Sequence, residues 1–121
     1  MVEKNEPDIP GSDIKAVRET LRELQKGLNR LYGKKRPMML VFGSFARGHA
    51  RSDSDVDVLL LYPDDIHPAE EIRRVSGILA DLNLQYQVLI SILPASQQKY
   101  RSSQETFWKN VRREGIPVES I

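Results

Sequence analysis

The sequence predicts an α/β (α+β) chain in which a small mixed sheet of about three or four strands carries helices packed on it. Three short apolar runs, Met38–Phe42, Val56–Tyr62 and Tyr86–Leu93, are of strand length, and each is closed by a glycine or a proline. Around them, apolar residues recur at steps of three and four, the spacing that gives a helix one buried stripe. At 121 residues the chain suits a single domain with a single core.

The elements follow in order. The first dozen residues hold two prolines and a glycine among polar neighbours and read as a flexible N-terminal arm, residues 1–12, ahead of one domain at 13–121. Ile14, Val17, Leu21, Leu24, Leu28 and Leu31 then predict a helix of about five turns, with Ser12 or Asp13 as its cap and Gly33 at its end. Met38–Phe42 is an unbroken apolar run that predicts a buried strand, and Val56–Tyr62 predicts a second central one, closed by Pro63. Pro68 suits the first position of a helix, with Glu70 and Glu71 in its first turn and Ile72, Val75, Leu79 and Leu82 as its buried face. Tyr86–Leu93 is the third expected strand, stopped by Pro94, and a last helix is expected from about Ser103 to Glu114, ending at Gly115.

Composition excludes several classes of function. Lys and Arg number 18 against 17 Asp and Glu, and the net charge of +1 offers no broad attraction for nucleic acid or an anionic membrane. No apolar run approaches the roughly 18 residues of a membrane span, and the N-terminus lacks the apolar region of a signal peptide. There is no cysteine, hence no disulfide or thiolate metal site, and a cytoplasmic location is the default.

The chemistry concentrates in Gly43-Ser-Phe-Ala-Arg-Gly48 and Ser54-Asp-Val-Asp57. Asp55 and Asp57, two apart on a strand, leave one face with Cα atoms about 6.6 Å apart. At an effective dielectric of about 20, unit charges at that separation repel by about 2.5 kcal/mol, so a cation is expected between them. Oxygen ligands suit Mg²⁺, which takes one or two carboxylates and completes its shell with water and substrate phosphates. Upstream, a strand end, a glycine that permits close backbone approach, the Ser44 hydroxyl and the Arg47 fork are groups that can hold phosphate. A P-loop reading fails because His49-Ala50 stands where Lys and Ser or Thr are required. An EF-hand reading fails because Val58 stands at the obligatory glycine and Asp64 at the final glutamate.

The pattern Gly-Ser-x-Ala-Arg-Gly, five residues, then Ser-Asp-x-Asp is met by Gly43, Ser44, Ala46, Arg47, Gly48, Ser54, Asp55 and Asp57. It resembles that of the DNA polymerase β-like nucleotidyltransferase superfamily, in particular its small stand-alone members, the minimal nucleotidyltransferases. The resemblance implies a nucleotidyltransferase fold and transfer of a nucleoside monophosphate from an NTP, with ATP the expected donor, to an acceptor hydroxyl with release of pyrophosphate. It implies Mg²⁺ held by Asp55 and Asp57, with a two-ion site open to it, and Gly43, Ser44 and Arg47 at the nucleotide, Arg47 meeting phosphate or bracing the loop.

The superfamily draws a third carboxylate from a later strand, but Leu84–Leu93 has no Asp or Glu, and Gln87 is expected at that place. Two aspartates then suffice, or Asp53, Asp65 or a partner's carboxylate substitutes, or the protein binds nucleotide without turning it over. The resemblance also implies an alternative role as the antitoxin-type partner of a helical HEPN protein, adenylylating or masking it, with Phe107 and Trp108 near the expected docking surface. A homo-oligomer is left open. His49 and Arg51 read as solvated loop residues, His67 as a helix-entry residue, and Lys34-Lys-Arg36 and Arg112-Arg113 as helix-end charges.

Overall fold

The computed structural model describes residues 11–48 and 55–121, with side chains from Ile14 onward in the first helix. Its elements are α1 (Gly11–Tyr32), β1 (Met38–Phe42), α2 (Gly43–Ala46), β2 (Val56–Tyr62), α3 (Pro68–Tyr86), β3 (Ile90–Ser96), α4 (Gln97–Ser102), α5 (Thr106–Glu114) and β4 (Ile116–Pro117). The strands form one mixed sheet in the order β3-β2-β1-β4. β1 is antiparallel to both its neighbours, while β2 and β3 run parallel, joined by the α3 crossover.

Because side chains alternate across a strand, the sheet sorts its residues onto two faces. Met39, Val41, Val56, Val58, Leu60, Tyr62 and Ile90 pack with Val17, Leu21, Leu24 and Leu28 of α1 and Val75 and Leu82 of α3. Leu40, Leu59, Leu61 and Ala95 pack on the opposite face with Trp108 and Val111 of α5. Leu59 and Leu60 are both fully buried, which explains the unbroken apolar run of β2: the strand is covered on both sides. Full burial of each such leucine contributes about 1.5–3 kcal/mol.

Several sequence expectations shift. Ile14, Leu31 and Ile72, assigned to buried stripes, are exposed. Next to Leu31 it is Tyr32 that turns inward, its ring meeting that of Tyr62 edge-on at 5.3 Å. The buried residues of α3 are Glu71, Val75 and Leu82. Thr20, fully buried in α1, returns its hydroxyl to the Ala16 carbonyl at 2.6 Å.

The expected third strand starts later and ends later. α3 continues through Tyr86, and β3 runs from Ile90 through Pro94 to Ser96. β3 is an edge strand, where a proline can sit without costing the sheet a ladder hydrogen bond. The expected last helix is α5, which starts three residues later at Thr106, and a further helix not expected from the sequence, α4, precedes it across Ser103–Glu105. Ser96 caps α4 by accepting from the Lys99 N–H at 3.1 Å. Arg112 ties the two helices by donating to the Tyr100 carbonyl at 2.6 Å. Gly33 ends α1 at φ +58° as expected, and Gly115 follows α5 at a point where a Cβ would meet the Val111 carbonyl at 2.8 Å. No helix among the described residues is long and apolar enough to cross a membrane.

Candidate active site

β1 delivers the chain to Gly43 at the end of the sheet where β2 begins. Gly43 has φ +77°, a conformation that costs a residue with a side chain about 1–2 kcal/mol. A Cβ at Gly43 would also collide with Oδ2 of Asp57, so the glycine is required twice, once by its backbone and once by the carboxylate against it. The chain then makes the short α2 turn, closed by the Arg47 N–H to the Gly43 carbonyl and the Gly48 N–H to the Phe45 carbonyl, each at 3.1 Å. Ser44 lies half-buried in this turn. The cap position of α2 is Phe42, which makes no side-chain cap bond.

Across the sheet, Phe42 pairs with Asp57 and Asp57 pairs with Ser91. These three, with Leu59 and Leu61 further along β2, share the face covered by α5. Asp57 is half-buried at the rim of that face, and Asp55, one residue before β2, is exposed. The carboxylates therefore stand at the open end of the second core rather than inside it. Burial, reinforced by the negative charge of Asp55, pushes the Asp57 pKa above the ordinary aspartate value, and Arg47 partly offsets the rise. The Ser91 hydroxyl donates to Asp55 Oδ2 at 3.0 Å.

Arg47 reaches Glu114 at the end of α5, Nη1 to Oε1 at 3.3 Å, and Arg113 meets the other oxygen of the same carboxylate at 3.2 Å. This ion pair ties the turn to α5, and the Arg47 charge is also felt at Asp57. Phe42 carries the contact outward: its ring meets Phe107 edge-on at 5.9 Å, and Phe107 meets Trp108 in the same way at 5.0 Å. Trp108 is a core residue of the second face, while Phe107 keeps 44% of its surface exposed.

Gln87 does not hold the third position. It is the C-cap of α3, exposed and left-handed at φ 55°, ψ 38°, because the helix runs on through Tyr86 and turns there before β3. The residue opposite Asp57 on β3 is Ser91, four positions later. Asp65 is also removed as a substitute. It follows the far end of β2, about 20 Å from Asp57 at about 3.3 Å per strand residue, in a cleft with Tyr32, Tyr62, Glu71 and Arg74. Asp53, Ser54, His49 and Arg51 lie outside the described residues. Among the described residues no third Asp, Glu, His or Cys completes a metal-binding group with the pair.

The donor set nonetheless fits a hard divalent ion. Two carboxylates with close backbone approach are enough for Mg²⁺, which keeps several waters and takes the rest of its shell from phosphates. The like-charge pressure on Asp57 is what such an ion would relieve.

Ser91 and Glu114 lie in the segments Val88–Ser91 and Val111–Gly115, which resemble corresponding parts of the small family members, but the sequence assigns neither residue a role. Only the strand register and the Arg47 contact to α5 reveal what they touch.

Comparison with known proteins agrees with this architecture. The family model described as "Nucleotidyltransferase domain" matches residues 21–113. A curated relative from Methanocaldococcus jannaschii, "Putative protein adenylyltransferase MJ0141", is 33% identical over 73 residues, which are 60% of this chain and 73% of that protein. Among solved structures, a toxin-antitoxin with AMP-PNP superposes with a TM-score of 0.55 at 19% identity, over 84% of this chain and 71% of that one. A structure described as a "putative minimal nucleotidyltransferase" is 29% identical with a TM-score of 0.49, over 83% of this chain and 94% of that one. With the glycine-serine turn and the aspartate pair in place at the head of β2, and with the family match covering most of the chain, this protein belongs to the nucleotidyltransferase family, whose members generally use divalent metal ions.

Proposed function

We propose that the chain transfers a nucleoside monophosphate, with ATP as donor and Mg²⁺ as the metal, to a hydroxyl on a protein acceptor. The observation that carries this reading is the packing of Gly43 directly against Asp57. It joins the turn suited to a triphosphate and the carboxylates suited to its metal into one site. Asp55 and Asp57 hold Mg²⁺, while Gly43 and Ser44 meet the triphosphate. Arg47, braced on Glu114, keeps the turn in place and supplies positive charge beside the phosphates. An ion held by Asp55 and Asp57 would supply neutralising charge for the transferring and leaving oxygens. The acceptor oxygen forms its bond to the α-phosphorus as the bond to the bridging oxygen breaks. The acceptor proton is released, and pyrophosphate leaves with the electron pair of the broken bond.

The acceptor class follows from what stands opposite Asp57. Ser91 cannot take a proton at neutral pH, and among the described residues no further acid joins the pair. An acceptor that ionises without a strong base is then favoured, and a tyrosine phenol, with a pKa of about 10, ionises far more readily than an aliphatic hydroxyl. The name of the M. jannaschii relative supports a protein acceptor. A more specific version is an antitoxin role, for which the toxin-antitoxin with AMP-PNP is a parallel in fold; the tyrosine of a helical HEPN partner as its acceptor comes from the resemblance in the sequence alone. In a third version the site binds nucleotide and is silent.

Incubation with α-labelled ATP, Mg²⁺ and a cell lysate tests the proposal. Wild type is expected to label a protein band, and Asp55→Ala and Asp57→Ala are each expected to lose at least about 100-fold of that label. Equal labelling by all three would refute the site. Binding of Mg-ATP without any transfer would select the silent version, and label confined to small molecules would refute the protein acceptor.

A further inference from the structure

We infer that Ser91 is a positioning residue for the Asp55 carboxylate, an inference that rests on reading Asp55 and Asp57 as the metal ligands. Asp55 precedes β2, lacks the strand pairing that holds Asp57, and is exposed. An exposed aspartate spreads over several rotamers, and each one lost on binding an ion costs affinity. Ser91 removes that freedom in advance. It is half-buried on β3, fixed by its pairing with Asp57, and its hydroxyl donates to Oδ2 of Asp55 at 3.0 Å. A hydrogen bond to an ionised carboxylate is stronger than one between neutral groups. This one engages a single oxygen and leaves Oδ1 for a cation.

Leu89, two residues before Ser91, has an apolar, exposed side chain, and its carbonyl is taken by the Val56 N–H at 2.8 Å. The same serine also stands in the row where a third acid was expected, so one side chain fills two roles. It adds no third negative charge beside the two carboxylates, and it holds the outer member of that pair in line. An acid at 91 would do neither in the metal-free protein.

Mn²⁺ titration of the nucleotide-free protein, followed by electron paramagnetic resonance of the free ion, tests the role without turnover. Ser91→Ala is expected to weaken binding about 10-fold, the low end for loss of a group that orients a metal ligand. Ser91→Thr, which keeps the hydroxyl and suits a strand, is expected to stay within about threefold of wild type. Melting temperatures of both variants within about 2 °C of wild type would separate lost orientation from lost fold. Asp55→Ala is expected to abolish binding. If Asp55→Ala abolishes it while Ser91→Ala stays within twofold of wild type, the positioning role is overturned and the metal assignment stands. If wild type binds no Mn²⁺, or binds it no better than Asp55→Ala, the metal assignment falls and the role of Ser91 with it.

Discussion

The two ends of β2 each present acidic side chains, and the protein treats them in opposite ways. At the far end, Glu71 of α3 is 5% exposed and fully engaged. Its carboxylate accepts from the Tyr32 hydroxyl at 2.5 Å and from Arg74 at 3.1 and 3.3 Å. Tyr32 spends its only proton on Glu71, so the neighbouring Tyr62 hydroxyl, 3.1 Å away, donates to Tyr32. Burial, with the hydrogen bonds to acidic or phenolic partners behind it, drives both tyrosine pKa values upward, and the chain of hydroxyls stays protonated as a donor series. At the near end, Asp57 is less buried yet faces Asp55, and its ionised form is disfavoured by burial and by that second acid. The Glu71 charge is met by a hydroxyl and a guanidinium, and the Asp57 charge is offset only in part, by Arg47. That is the difference expected between an acid kept for the fold and acids that, on the proposed reading, hold a metal.

Substitutions at the two ends should therefore fail differently. The largest stability loss is expected from Glu71→Ala, which empties a buried position and leaves the half-buried Tyr32 hydroxyl without its acceptor. It should cost about 2 kcal/mol and lower Tm by more than about 5 °C in thermal unfolding, while ATP-dependent labelling below the new transition stays within about threefold of wild type. Loss of labelling without loss of Tm would break the contrast.

Gly43→Ala attacks the near end. The left-handed backbone costs about 1–2 kcal/mol, and the added Cβ must displace the Asp57 carboxylate. The expected result is a modest fall in Tm with labelling and Mn²⁺ binding both reduced about 100-fold or more. Unchanged metal binding would show that the contact does not place the acid.

The smallest effect has the opposite sign. Because the Asp57 pKa is raised on folding, the stability linked to its protonated form is fully present below the unfolded aspartate value of about 3.9, and is lost as pH rises through the folded value. Asp57→Asn keeps a neutral group there at every pH. In metal-free buffer at pH 7 it should raise Tm by a degree or two, and the gap should close below about pH 4. A gap that persists at pH 3 would mean the gain came from packing rather than charge.

The two ends also differ in how far they could be read without coordinates. The near end was largely legible, since Gly43, Ser44, Asp55 and Asp57 lie within fifteen residues and their spacing is their geometry. The buried role of Glu71 was not. As a residue of the first turn of α3 it reads as a charge for the helix dipole, and only the approach of Tyr32 from α1 and Tyr62 from β2 makes it a core residue. Gln87 failed for a related reason. Its fate depended on where α3 stops: the helix runs on to Tyr86, the first residue of the expected strand, and β3 begins only at Ile90.

The sequence by itself determined the α/β class, three of the four strands as elements, the glycine that must turn between β1 and α2, and the aspartate pair, because each of these is written in residues near one another along the chain. The tertiary structure alone decided that Ser91 rather than Gln87 faces the pair, that Asp65 is at the wrong end of β2, and that Arg47 leans on Glu114. These depend on the register between strands and on which helix covers which face. A one-residue slip of β3 would turn Ser91 to the other side of the sheet, and what prevents that slip is the burial of Ile90 on one face and Ala95 on the other.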